Sequence, residues 1–199
     1  MPVLFNEAKE HDELKQPYLE TLMQYAPESV AGLVYDPGWT QSSAYIDHLV
    51  KEGLFDPQEA LRAKAFQFNG YYCVLALPSL VATKRKHPIF ISQKGFDVMK
   101  DESYFLSSLL DHEAFHTDDL ANGIHTGSVI IDSSNVHALR LKALICIMER
   151  RAYKNQIAHL ADRGISDKSF MKWLSWHLED YASLSLPDPK TELEQQLGF

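Results

Sequence analysis

The chain has 199 residues, 45% of them hydrophobic and 23% charged, which is the balance of an ordinary globular protein long enough to bury a core. A net charge of −8 argues against phosphate backbones or anionic membranes as partners, so neither nucleic acid nor membrane is expected. No apolar run approaches the roughly 18 residues of a membrane-spanning helix. Residues Met1–Glu7 lack the basic start and apolar stretch of a signal peptide, and Cys73 and Cys146 sit among apolar neighbours as buried reduced thiols would. These features point to the cytoplasm.

In chain order, Leu14, Tyr18, Leu19, Leu22 and Met23 recur at helical spacing and predict a helix from Glu7 to Tyr25. Pro27 to Gln41, with Pro37-Gly38, reads as an irregular connection. A second helix is expected over Ser42–Glu52, with Ser42 or Ser43 as cap and Gly53 as stop, and a third from Pro57 to Phe66. His11 and His48 in this part read as surface or packing residues. From Tyr71 the composition changes. Tyr71–Leu77 and His87–Ser92 are rich in aromatic and β-branched residues and predict strands, with the solvated turn Lys84-Arg85-Lys86 between them. Pro88 restricts the second strand to a start or an edge, where it would be placed to accept an extended peptide. A polar segment, Gly123 to Asn135, carries a short apolar triplet, Val129-Ile130-Ile131. The longest helical pattern follows, from about Asn135 to Asp162, then a last helix from Asp167 to Leu184. Residues from Pro187 onward read as a tail lying loosely on the surface. The expected architecture is α+β and mostly helical, in one domain over 1–199. It divides into a helical part (1–66), a core (67–165) and a C-terminal helix with its tail (166–199).

The chemistry lies in His112-Glu113-Ala114-Phe115-His116, an intact HExxH. Phe105, Leu106, Leu109 and Leu110 before it and Gly123 after it place the motif on an amphipathic helix. There His112 and His116 leave one face a turn apart and can hold two positions of a tetrahedral Zn²⁺. Glu113 projects to the rim of the same site, where a carboxylate can act as general base.

A catalytic zinc site needs a third protein ligand. Six residues beyond His116 stands Asn122, a poor ligand, and the glycine expected at 119 in an HExxHxxGxxH pattern is Asp119. His125 would need an unusual loop. Glu149 is the better candidate: Ile145, Met148, Ala152 and Tyr153 surround it on one face of the long helix, so its carboxylate points inward and requires a cation. The competing partners for that carboxylate are Arg140 and Arg163.

HEAFH followed by helical Glu149-Arg150-Arg151-Ala152 resembles the gluzincin metallopeptidases, the clan of thermolysin-like enzymes and their minimal bacterial relatives. The resemblance covers roughly residues 70–160. It implies a zincin-like core, with a small sheet packed beside the HExxH helix and a long Glu-bearing helix. It also implies zinc as the metal, His112, His116 and Glu149 as its ligands and Glu113 as the base. The chain departs from the clan at Tyr153, where an Asp that orients a ligand histidine is common, and at Asp118, usually apolar. Asp118, Asp119 and Asp132 are alternatives for that orienting carboxylate, and Tyr153, His125 and His137 for a donor to the oxyanion.

The expected function is hydrolysis of peptide bonds in a peptide or protein substrate. The alternative is a metal-binding regulatory or peptide-binding module without turnover. A di-iron carboxylate protein would need a second Glu-x-x-His, and no other glutamate has a histidine three residues on.

Overall fold

The computed structural model describes residues 3–67, 70–75, 77–127 and 129–199. Ala76 of the first expected strand, Ser128 of the polar segment, and Met1, Pro2, Phe68 and Asn69 lie outside the described residues. The architecture is α+β, with helices dominating two small sheets.

The first expected helix is two, α1 (Phe5–Glu10) and α2 (Asp12–Leu22), because the backbone at His11 is extended. Val30–Tyr35, expected to be irregular, is a strand, β1. Its partner lies far along the chain: β1 pairs in parallel with β3 (His87–Ile91), Leu33 opposite Ile89 and Tyr35 opposite Ile91. The short strand β2 (Tyr72–Cys73) pairs antiparallel with the other side of β3. The order β1-β3-β2 therefore makes β3 central, not an edge. Strand β1 runs along one side of it, and β2 covers Phe90 and Ile91 on the other. Pro88 is accommodated at its start, opposite a break in register between Val30 and Gly32 that absorbs the missing donor.

Between β1 and β2 run α3 (Thr40–Lys51) and α4 (Pro57–Gln67). The cap of α3 is neither Ser42 nor Ser43. Buried Asp36 accepts from the N–H groups of Thr40 and Ser42, at 2.8 Å each, and Ser42 turns back onto the Trp39 carbonyl. Gly53 stops the helix with φ 71° as expected. Lys84-Arg85-Lys86 is exposed, and Arg85 pairs with Glu52.

After α5 (Gln93–Asp97) comes one continuous helical stretch in three parts: α6 (Glu102–Leu106), a π-helical turn (Ser107–Glu113) and α7 (Ala114–Asn122). Asp101 caps it and Gly123, at φ 91°, ends it. A hairpin of β4 (Ile124–His125) and β5 (Ile130–Ile131) follows, then α8 (Leu141–His159) and α9 (Lys168–Ala182). Helix α8 buries Leu144, Met148 and Ala152, while Leu141 and Ile145 face outward.

Two apolar clusters meet at the HExxH helix. Phe105, Leu109 and Ala114 join Phe5, Tyr18, Leu33 and Ile89 in one; Leu120 joins Ile46, Ile131, Leu144 and Met148 in the other. Anchoring in both cores fixes the motif helix lengthwise and rotationally. The C-terminal tail is not loose. It forms α10 (Glu192–Gln196), Leu186 is buried, and fully buried Glu194 accepts from the Arg140 backbone N–H, Nε and Nη2 at 3.0, 2.8 and 2.7 Å. A paired charge at the head of α8 holds what composition alone presents as a polar tail. Among the described residues no helix is long and apolar enough to cross a membrane. Neither cysteine forms a disulfide.

Candidate metal centre

Helix α8 packs along the HExxH helix, and its Ala152 is fully buried. Side chains of α8 and its C-terminal turn fix the pairing along its length. Gln156 donates to Ser107 Oγ (3.2 Å) and Asn155 to the Asp111 carbonyl (2.8 Å) inside the π turn. Arg163 donates twice to Asp111, at 2.9 and 2.7 Å, and Arg151 grips Asp119 and the His125 carbonyl. The π turn is where the helix departs from regular α geometry, a common placement beside functional groups.

Between these tethers His112, His116 and Glu149 come together. His112 Nε2 lies 3.4 Å from Glu149 Oε2, and His116 Nε2 lies 3.4 Å from Oε1. The rings are perpendicular, 5.0 Å apart, and one ligand atom from each residue falls within 4.8 Å of the other two. Direct charge-assisted hydrogen bonds would be shorter, about 2.7–2.9 Å. Tetrahedral ligands bound at about 2.0–2.1 Å stand about 3.3–3.4 Å apart, and each imidazole stands at that distance from its own oxygen of the carboxylate. The three residues could therefore hold a metal ion. Burial works against ionisation of Glu149, but the two imidazoles outweigh it and hold the carboxyl well below the usual range. Arg140 and Arg163, its alternative partners, are engaged with Glu194 and Asp111.

Glu113 stands at the same cavity as His112. Burial pushes its carboxyl up to about 7, opposed by His112 and reinforced by Glu149. A carboxylate titrating near neutrality suits proton transfer, and a cation on the neighbouring ligands would favour its basic form.

None of the expected orienting carboxylates reaches a ligand ring. Among the described residues the Nδ1 atoms of His112 and His116 have no hydrogen-bond partner. Asp119 is committed to Arg151, Asp118 accepts from Asn122, and Asp132 closes a turn with Ser134. Of the oxyanion donors considered, only Tyr153 lines the cavity, its ring edge-on to His112 at 4.4 Å. His125 lies on the hairpin and His137 is exposed on a separate turn. Burial, then Glu149, raises Tyr153 far above the ordinary phenol value, so it remains a donor.

Three further residues belong to this environment. His177 and Tyr181 of α9 feel the charge of Glu149, and Tyr72 of β2 feels that of Glu113. Burial lowers His177, and His177 stacks on Tyr153 at 5.4 Å. The sequence signal for α9 was an amphipathic helix with a histidine among tryptophans, which specifies no direction. No family model, curated protein or solved structure matches the chain.

Proposed function

We propose that the chain is a zinc-dependent metallopeptidase of gluzincin type on a zincin-like core, with His112, His116 and Glu149 as metal ligands and Glu113 as the base. The 3.4 Å spacing of both imidazole Nε2 atoms from one carboxylate carries this reading. Two histidines and a glutamate are a donor set suited to zinc, with one position left for solvent or substrate. Zinc held there would polarise a water and a peptide carbonyl. Glu113 takes the proton of the attacking water and passes it to the departing amine. The Tyr153 hydroxyl is the donor best placed to steady the oxyanion, with His177 behind it. The substrate is a peptide or protein, and the proposed compartment is the cytoplasm.

The test begins with metal content by elemental mass spectrometry. About one zinc per chain, lost in His112→Ala and Glu149→Ala, is expected from a three-ligand site. Zinc retained in Glu149→Ala would refute the ligand set. Peptide hydrolysis by the zinc-loaded chain, abolished by Glu113→Gln with zinc retained, separates the enzyme from a metal-binding module without turnover.

A further inference from the structure

A second cavity, of about 320 Å³, lies on the side of α8 turned away from Glu149. Ile147, Arg150, Arg151 and Lys154 recur at three- and four-residue spacing along that face of the helix, and all of them line it. The β4–β5 hairpin closes one side with His125, and the C-terminal tail closes another with Gln196 and Leu197. Elements far apart in the chain thus converge on one concavity.

Its charge is opposite to that of the chain. The protein carries a net charge of −8, yet among the described residues the lining holds Arg150, Arg151 and Lys154 and no acid. Arg151 is neutralised, because its fork grips Asp119 and the His125 carbonyl and so fixes the hairpin wall. Arg150 and Lys154 are not: among the described residues neither has a hydrogen bond or an ion pair. One helical turn apart, their side chains are neighbours of like charge, and an anion held between them relieves the repulsion. A phosphate monoester matches this pair. It carries about two negative charges near neutral pH, and its oxygens suit both the guanidinium fork and the ammonium. Buried Ile147 and half-buried Leu197 add apolar surface. The volume is at the lower end of the about 300–1,000 Å³ of ligand pockets, room for a phosphate with a ring or short chain and not for a polyanion.

We propose that this cavity binds a small organic phosphate, with the phosphate between Arg150 and Lys154 and the apolar body against Ile147 and Leu197. Binding here is independent of any metal at His112, His116 and Glu149.

The test titrates phenyl phosphate, inorganic phosphate and phenyltrimethylammonium calorimetrically into the full-length protein, at low ionic strength and about pH 7.5. Phenyl phosphate is expected to bind one site per chain, roughly tenfold tighter than inorganic phosphate, and the ammonium probe not to bind. Arg150→Gln and Lys154→Gln, each with its fold checked by circular dichroism, are expected to weaken phenyl phosphate roughly 10- to 100-fold, the worth of one charge-assisted contact. Lys142→Gln removes an exposed cation from the same helix outside the lining and is expected to change affinity by about twofold or less. No saturable binding of phenyl phosphate by the folded wild type would overturn the proposal. So would binding that Arg150→Gln and Lys154→Gln leave unchanged, which would place the phosphate elsewhere, the metal centre included. Equal losses in all the variants would reduce the effect to net charge and overturn it as well. Inorganic phosphate binding as tightly as phenyl phosphate would overturn the assignment to an organic ligand.

Discussion

His87, the first residue of the central strand, makes stability sensitive to acid in a measurable way. It is 2% exposed, its Nε2 has no hydrogen-bond partner among the described residues, and its main-chain N–H donates to the Ser29 carbonyl at 2.8 Å. Burial, helped by Arg85, lowers its pKa from 6.5 to about 4. Between those values the unfolded chain binds a proton that the folded chain does not, so stability falls as pH falls through that window. At about 1.36 kcal/mol per pH unit the whole interval is worth about 3.4 kcal/mol, a large share of the about 5–15 kcal/mol of a typical domain. His87→Leu removes the titrating group and places an apolar side chain where a ring nitrogen is unpartnered. Urea unfolding of both proteins, followed by tryptophan fluorescence from pH 7.5 to 4.5, gives the difference directly and cancels the other histidines. The wild type should lose about 2–3 kcal/mol more than the variant across that range. Profiles parallel to within about 0.5 kcal/mol would refute the reasoning.

Two further perturbations address how the site is held. Asp111→Asn leaves Arg163 without its charge partner one residue before His112. Because the Arg163 side chain is 28% exposed, the expected cost is about 1–3 kcal/mol, below that of a fully buried pair. Zinc affinity, measured by chelator competition, should weaken alongside, and an unchanged affinity would show that the ion pair supports only the fold. Glu194→Gln should release the tail, seen as faster tryptic cleavage after Lys190, by about tenfold if local opening controls the rate. Arg140 holds the Glu194 carboxyl down to about 2 from 4.5. Its contribution is therefore complete above about pH 4.5 and lost as pH falls toward 2, and the stability gap between wild type and variant should close over that window.

The candidate ligands were legible because both signals are local. An i, i+4 histidine pair declares its shared face within five residues, and an acidic residue among Met148, Ala152 and Tyr153 declares an inward carboxylate within two turns, although Ile145, counted on the same face, is exposed. What escaped depends on distant partners. Strand β1 is short and contains Gly32, and its register is set by β3, more than fifty residues later. The α3 cap comes from Asp36, upstream of the serines that composition favours. The tail docks through the Glu194–Arg140 pair and through Leu186 and its apolar neighbours in the core, and His177 acquires its place only when α9 packs on α8. The absence of an aspartate at position 153 was readable; that no other carboxylate replaces it at either Nδ1 was not.

The π turn at Ser107–Glu113 also bears on how this sequence can change in length. It holds a residue more per turn than the α-helical segments on either side, so it sets their relative phase. Phe105 upstream is fixed by one core and Leu120 downstream by the other. Deleting a single residue within the turn would let the helix close into regular α geometry. The lost residue and the tighter turn nearly cancel in phase, so Leu120 and the histidines would keep their faces while the helix shortened by about 1.5 Å. A one-residue deletion is thus absorbed here more readily than in α6 or α7, and related chains are expected to differ in length at this turn before they do elsewhere along the helix.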